Sequence, residues 1–218
     1  MRARKKKHGA ERIAACAHLL IEDPTVLKDD PRSPFSEKEK ALHLEIGCGK
    51  GNFACGMAAK NPDVNFIAME RVSDVACLAL EKAEAAKDTR PDNLRFLIGN
   101  AENLTEWLPP HSIDCLYLNF SDPWPKAGHA KRRLTHRVFL ERYQTVLKKG
   151  GVLRFKTDNV GLFDFSLEQF AEMGLEMTDL TRDLHNSPQN EGNVMTEYEK
   201  AWSEKGYPIH AVTVHFKE

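Results

Sequence analysis

Long apolar runs are missing from this chain: none approaches the ~20 residues that a membrane span requires. The basic opening "MRARKKKHGA" lacks the apolar centre of a secretion signal. Paired cysteines are missing too. Cys16, Cys48, Cys55, Cys77 and Cys115 are scattered, with no C-x-x-C. That spacing argues against a zinc site or a disulfide framework and suits reduced thiols, so a cytoplasmic protein with no metal and no membrane partner is expected. Net charge is almost absent, at −1, so bulk charge selects no partner. What remains is ordinary for a globular domain: 218 residues, 41% hydrophobic and 29% charged, enough chain to bury a full core.

The charges are nonetheless unevenly placed. Arg2, Arg4, Lys5, Lys6 and Lys7 form one basic block. Lys126, Lys131, Arg132, Arg133 and Arg137 form a second, with no carboxylate between Lys126 and Arg137. Two cationic patches on a neutral chain point to an elongated polyanion, or else are simply solvated.

Residues 1–40 read as a basic arm, a short helix ("ERIAACAHLLI") and a Pro-broken polar stretch. From residue 41 to 218 a regular domain is expected. "ALHLEIG", "VNFIAME", "NLRFLIG", "IDCLYLNF" and "VLRFKTD" read as strands. "NFACGMAAK", "SDVACLALEKAEAAK", "LTHRVFLERYQTVLKKGG", "VGLFDFSLEQFAEMG" and "EYEKAWSEKG" read as helices, the third stopped by its lysines and Gly150-Gly151. Strands alternating with helices predict a Rossmann-like, doubly wound α/β fold with a mostly parallel sheet.

The first strand runs into "EIGCGKGN". Gly47, Gly49 and Gly51 let the chain turn tightly and approach a ligand at a helix start. A dinucleotide fingerprint would place its third glycine at 52, where Asn52 stands. The spacing better suits a nucleoside cofactor without a pyrophosphate. Glu70 ends the second strand near the ~20-residue offset of a ribose-binding acid. Asn100 follows the third strand, where a base can be read.

The fourth strand breaks into "NFSDPWPKAGHAKRRL". Together with "HLEIGCGKGNF", "RFKTDN" and "NVMTEYEKAW", this segment makes the chain resemble the bacterial tRNA (guanine-N7-)-methyltransferase family, class I S-adenosylmethionine-dependent enzymes, over nearly its whole length. The resemblance implies S-adenosylmethionine as cofactor and tRNA as substrate, methylated in the variable loop. It places Glu45, Glu70, Asn100 and Asp122 at the cofactor, and Lys126, Asp158 and Thr196-Glu197-Tyr198-Glu199 at the substrate. Gly128 to Arg133 would lie on RNA. An Ala-Gly pair follows Lys126 where further basic residues are expected in relatives, which weakens the phosphate grip slightly.

The chemistry fits these residue types. Guanine N7 carries a lone pair and no proton, so positioning matters more than a general base. The purine gains positive charge, which a carboxylate stabilises; Asp122 is the catalytic candidate. Pro123 and Pro125 stiffen the turn. Trp124 either stacks on a base or packs. Lys131, Arg132 and Arg133 would contact phosphate. Thr196-x-x-Glu199 is equally a capping box that opens a helix. A non-catalytic RNA-binding module on the same fold is the alternative, and oligomeric state is not legible.

Overall fold

A seven-stranded sheet organises the computed structural model, which describes residues 6–216. Its strands are β1 (Ala41–Ile46), β2 (Val64–Glu70), β3 (Leu94–Ile98), β4 (Ile113–Asn119), β5 (Leu147–Thr157), β6 (Glu176–Thr181) and β7 (His210–His215). They lie in the order β3-β2-β1-β4-β5-β7-β6. Strands β1 to β5 pair in parallel, and β7 runs antiparallel to both β5 and β6. The α-helices are α1 (Gly9–Ala14), α2 (Asn52–Lys60), α3 (Ser73–Ala85), α4 (Leu104–Trp107), α5 (Arg137–Val146), α6 (Val160–Glu172) and α7 (Glu197–Ser203).

Two cores sit on the two sheet faces because side chains alternate along each strand. Leu42, Leu44, Leu116, Leu118, Leu153 and Phe155 share one cluster with Leu104 of α4, Phe139 and Tyr143 of α5, and Phe163 and Phe170 of α6. Phe66, Ala68, Phe96 and Tyr117 share the other with Phe53 and Ala58 of α2 and Leu80 and Ala83 of α3. Each fully buried Leu or Phe contributes ~1.5–3 kcal/mol of transfer free energy. Both cores are therefore continuous along the strands that carry the loops described below.

The strand order reverses between β1 and β4: β2 and β3 lie to one side, β5 to the other. Loops leaving the carboxyl ends of β1 and β4 thus diverge to opposite faces and leave a crevice between them, the usual ligand position in an open parallel sheet. Ile46 pairs with Leu118, so the turns after β1 and β4 start side by side.

Three sequence expectations are corrected. The helix expected over 11–21 is α1 only as far as Ala14; a single 3-10 turn follows at Ala17–Leu19, and Ile21 N–H then donates to Phe96 O beside β3. The "KKGG" stretch does not stop α5, which ends at Val146 where Leu147 turns extended. Those residues belong to β5, whose pairing with β4 jumps from Ile113↔Leu147 to Cys115↔Val152, an irregularity that Gly150 allows with φ +76°. Strands β6 and β7 have no sequence counterpart because "EMTDLT" and "HAVTVH" are broken by polar residues, with neither an apolar run nor a strict alternation.

Of the N-terminal basic block, Arg2, Arg4 and Lys5 lie outside the described residues. From Lys6 the chain packs on the domain. Lys6 N–H donates to Asp74 (2.7 Å), Arg12 forms a two-pronged ion pair with Glu81, and Leu27 and Phe35 are buried in the first core.

Candidate active site

A cleft of about 360 Å³ opens at the crevice between β1 and β4. Gly47, Glu70, Asn100 and Asp122 line it together, with Arg71, Phe120, Ser121, Trp124 and Arg132. Four residues chosen from separate strand ends thus converge on one space. Arg71, directly after Glu70, was missed, although its position at a strand end was a usable signal.

The glycine loop forms the floor. Gly47 and Gly49 have φ of +80° and +58°, and a Cβ on either would meet nothing within 4 Å. Their glycine character serves the backbone conformation and leaves open space in front of it. Gly51 differs: it does not line the cleft, and its Cβ would strike Ala79 at 2.9 Å, so it permits α2 to pack on α3. Glu70 braces the loop, accepting from Gly49 N–H at 3.1 Å and from Val72 N–H at 2.9 Å. Asn100 caps the next turn through Glu102 N–H.

Glu45 lies beneath the cleft, not along it. It is 3% exposed, its Oε1 accepts from Asn119 Nδ2 at 2.8 Å, and its Oε2 is buried without a partner. Burial pushes its carboxyl up to about 7, against a smaller lowering by Asn119 and Lys156. Ser121 Oγ, at the cleft wall, is likewise buried and unpartnered.

The Asp-Pro-Trp-Pro turn is held under strain. Phe120 and Trp124 have φ of +52° and +42°, a region that costs L-residues ~1–3 kcal/mol each. Arg133 offsets this, donating to Pro123 O at 3.1 Å and to Trp124 O at 3.0 Å while its guanidinium lies 4.3 Å from the Phe165 ring centre. Arg133 is therefore bound to the turn itself. Arg132 instead lies 4.9 Å over the Trp124 ring, which His129 meets edge-on. Asp122 is exposed and has no hydrogen bond or ion pair among the described residues, so it does not cap the turn. Lys126, just before the adjoining 3-10 segment Ala127–Arg132, and Lys131 on it are exposed and do not line the cleft.

Across the cleft rim, Tyr198 donates to Asp158 at 3.0 Å. Burial, followed by this bond, raises the phenol to about 12, keeping it a donor. Thr196 and Glu199 form a complete capping box at the start of α7. Glu199 does more: fully buried, it also meets Lys156, His185 at 2.9 Å and Asn193 at 2.8 Å. Glu197 pairs with Lys82 of α3, which also donates to Asn52 of α2. Lys156, His185 and Asn193 were not singled out from the sequence. A lysine inside the apolar run "VLRFKT" was the available signal.

Among the described residues no helix is long and apolar enough to cross a membrane, and no group of three or more His, Cys, Asp or Glu side chains is placed to hold a metal.

Comparison with known proteins identifies the family and the fold. A family model described as "Putative methyltransferase" matches residues 39–212. The tRNA (guanine-N(7)-)-methyltransferase of Limosilactobacillus reuteri (strain DSM 20016) is 46% identical over 217 residues, covering 100% of both chains. That of Bacillus subtilis (strain 168) is 43% identical with the same coverage. Among solved structures, the 16S rRNA methyltransferase KamB superposes with a TM-score of 0.61 at 18% identity, over 87% of this chain and 92% of that one. An antibiotic-related methyltransferase gives 0.60 at 14%, over 100% and 97%. At such identities these structures show the fold alone: that of the class I methyltransferases.

Proposed function

This chain belongs to the tRNA (guanine-N(7)-)-methyltransferase family, and from that premise we propose that it transfers a methyl group from S-adenosylmethionine to N7 of a guanine in the variable loop of tRNA. The residues present fit the cofactor. Gly47 and Gly49 leave open space before the loop, Glu70 stands where ribose hydroxyls are accepted, and beneath the cleft Glu45 Oε2 is a buried acceptor without a donor. When bound, S-adenosylmethionine supplies an electrophilic methyl carbon on a sulfonium.

The chain's own residues supply position. N7 carries no proton, so no base has to remove one, and alignment is worth up to ~7–11 kcal/mol in well-oriented systems. Asp122, unengaged on the cleft wall, accepts from the guanine's N–H groups and offsets the positive charge the purine gains. Arg133 holds the strained turn that presents it. Arg132, Lys131 and Lys126 face the phosphate backbone, which places RNA without reading its sequence. Asp158 and Tyr198 close the substrate side, with Thr196, Glu197 and Glu199 fixing the helix that carries Tyr198.

One observation carries this reading: Gly47, Glu70, Asn100 and Asp122 share one cleft whose rim bears Trp124 and Arg132. Transfer of labelled methyl to unmodified tRNA, followed by nucleoside analysis, tests it. The expected product is 7-methylguanosine. Label in another nucleoside, or RNA binding with no cofactor binding in calorimetry, rejects it.

A further inference from the structure

Four aromatic rings form a ladder that begins in the cleft and runs out over α7. Phe120, a cleft-lining residue, lies 5.2 Å from Tyr198, centroid to centroid. Tyr198 stacks on Trp202 at 5.4 Å with 20° between planes, and Trp202 on Tyr207 at 4.8 Å with 23°. Two local devices build it. Tyr198 and Trp202 are four residues apart on α7 and so share one helix face. Gly206, at φ +76°, then reverses the chain and returns Tyr207 over Trp202.

The ladder is not core. Tyr198 is 46% exposed and Tyr207 51%. A stack of three rings, its two ends exposed, that meets a cleft-lining ring at a 52° tilt is unusual for a surface whose only task is solubility. Its chemistry matches that of flat, sequence-tolerant ligands with π faces. Lys205 lies 5.1 Å over the Trp202 ring, and Lys200 is exposed on the same helix, with Glu204 between them. Glu204 and Asp158, which accepts from Tyr198, balance these two cations, so the rings and not net charge carry the proposed contact.

We propose that Tyr198, Trp202 and Tyr207 form a stacking track whose outer end, Tyr207, receives an unpaired base adjacent to the target guanine. The track extends the substrate site beyond Asp158 and explains how a base drawn out of the RNA fold is compensated for its lost stacking. It rests on the reading of the cleft as a tRNA-methylating site. Tyr207 occupies the outer end and is 51% exposed, which makes it the ring assigned to meet RNA.

The test pairs protein and RNA changes. Base–aromatic stacking of ~1–3 kcal/mol predicts that Tyr207→Ala raises KM for tRNA about tenfold, while KM for S-adenosylmethionine stays at the wild-type value. Tyr207→Phe, which keeps the ring, should match wild type. tRNAs carrying one abasic residue beside the target guanine should reproduce the rise with wild-type protein, and one of them should show no further rise with Tyr207→Ala. Wild-type KM in Tyr207→Ala overturns the proposal. So do fully additive effects of the protein and RNA changes, or a Tyr207→Phe variant that behaves like alanine. If Tyr207→Ala instead breaks a dimer in sedimentation with tRNA KM unchanged, the ladder serves a second copy and the proposal fails. Equilibrium binding of the same tRNAs without cofactor keeps the outcome separate from methyl transfer, whose own test is the wild-type product.

Discussion

Lys156 Nζ donates to Glu199 Oε2 across 2.5 Å where the two side chains are only 8% and 0% exposed. Lys156 also donates to Asn193 Oδ1 and Val194 O, so one ammonium joins β5, the 193–194 loop and α7. Burial lowers the lysine from its ordinary value while Glu199 opposes that shift. For Glu199 burial is opposed by the Lys156 charge and by three hydrogen-bond donors, and the net direction is downward. Each side chain thus offsets part of the cost of burying the other.

Lys156→Met should therefore strand a buried carboxylate and destabilise the protein by about 3–5 kcal/mol. Adding Glu199→Gln should restore part of the loss, since no charge then remains to desolvate. Urea unfolding of the two single variants and the double variant checks this. A Lys156→Met variant of wild-type stability would show that the pair does not anchor α7.

Glu45 carries a pH signature. Its carboxyl rises from 4.5 to about 7 on folding, so between those values the folded state holds a proton that the unfolded chain has lost. Stability from this group is fully present below 4.5, declines as pH rises, and is gone above about 7. Glu45→Gln cannot ionise, so its stability relative to wild type should improve from pH 5 to pH 8 by up to about 3 kcal/mol. Denaturation at both pH values measures it; a pH-independent difference contradicts the burial argument.

Asp122→Asn should lower turnover roughly 10²–10³-fold, the usual effect of removing one preorganised electrostatic contact. Because Asp122 supports no structural hydrogen bond among the described residues, unfolding should be unchanged. tRNA affinity should change little. Single-turnover methylation beside a binding titration separates these effects, and unchanged turnover removes Asp122 from the mechanism.

Arg132 and Arg133 are neighbours with different work, and their variants should diverge. Arg132→Ala should weaken tRNA binding and flatten its dependence on salt by roughly one phosphate contact. Arg133→Ala should act mainly through the turn: losing charged bonds to the Pro123 and Trp124 carbonyls costs about 1–3 kcal/mol and misplaces Asp122. Thermal unfolding together with binding at low and high salt distinguishes them. Identical behaviour of the two variants would show that the turn contacts of Arg133 do not matter.

Much of this architecture was legible before any coordinates. Strands β1 to β4 and the second half of β5 are largely apolar runs punctuated by glycine, proline or acids, and α2 and β2 fall where the pattern placed them. Such signals are local, because burial and backbone conformation act residue by residue. The strand ends bearing Gly47, Glu70, Asn100 and Asp122 were legible for the same reason. That they share one cleft follows from the strand order, which no single segment encodes. Tertiary structure alone decided the Lys156–Glu199 pair, 43 residues apart, the turn-holding role of Arg133 and the meeting of Phe120 with Tyr198. The physical reason is that a charge or a ring names the kind of partner it requires but not its address. The address is set only when strands dock and water is excluded around the pair.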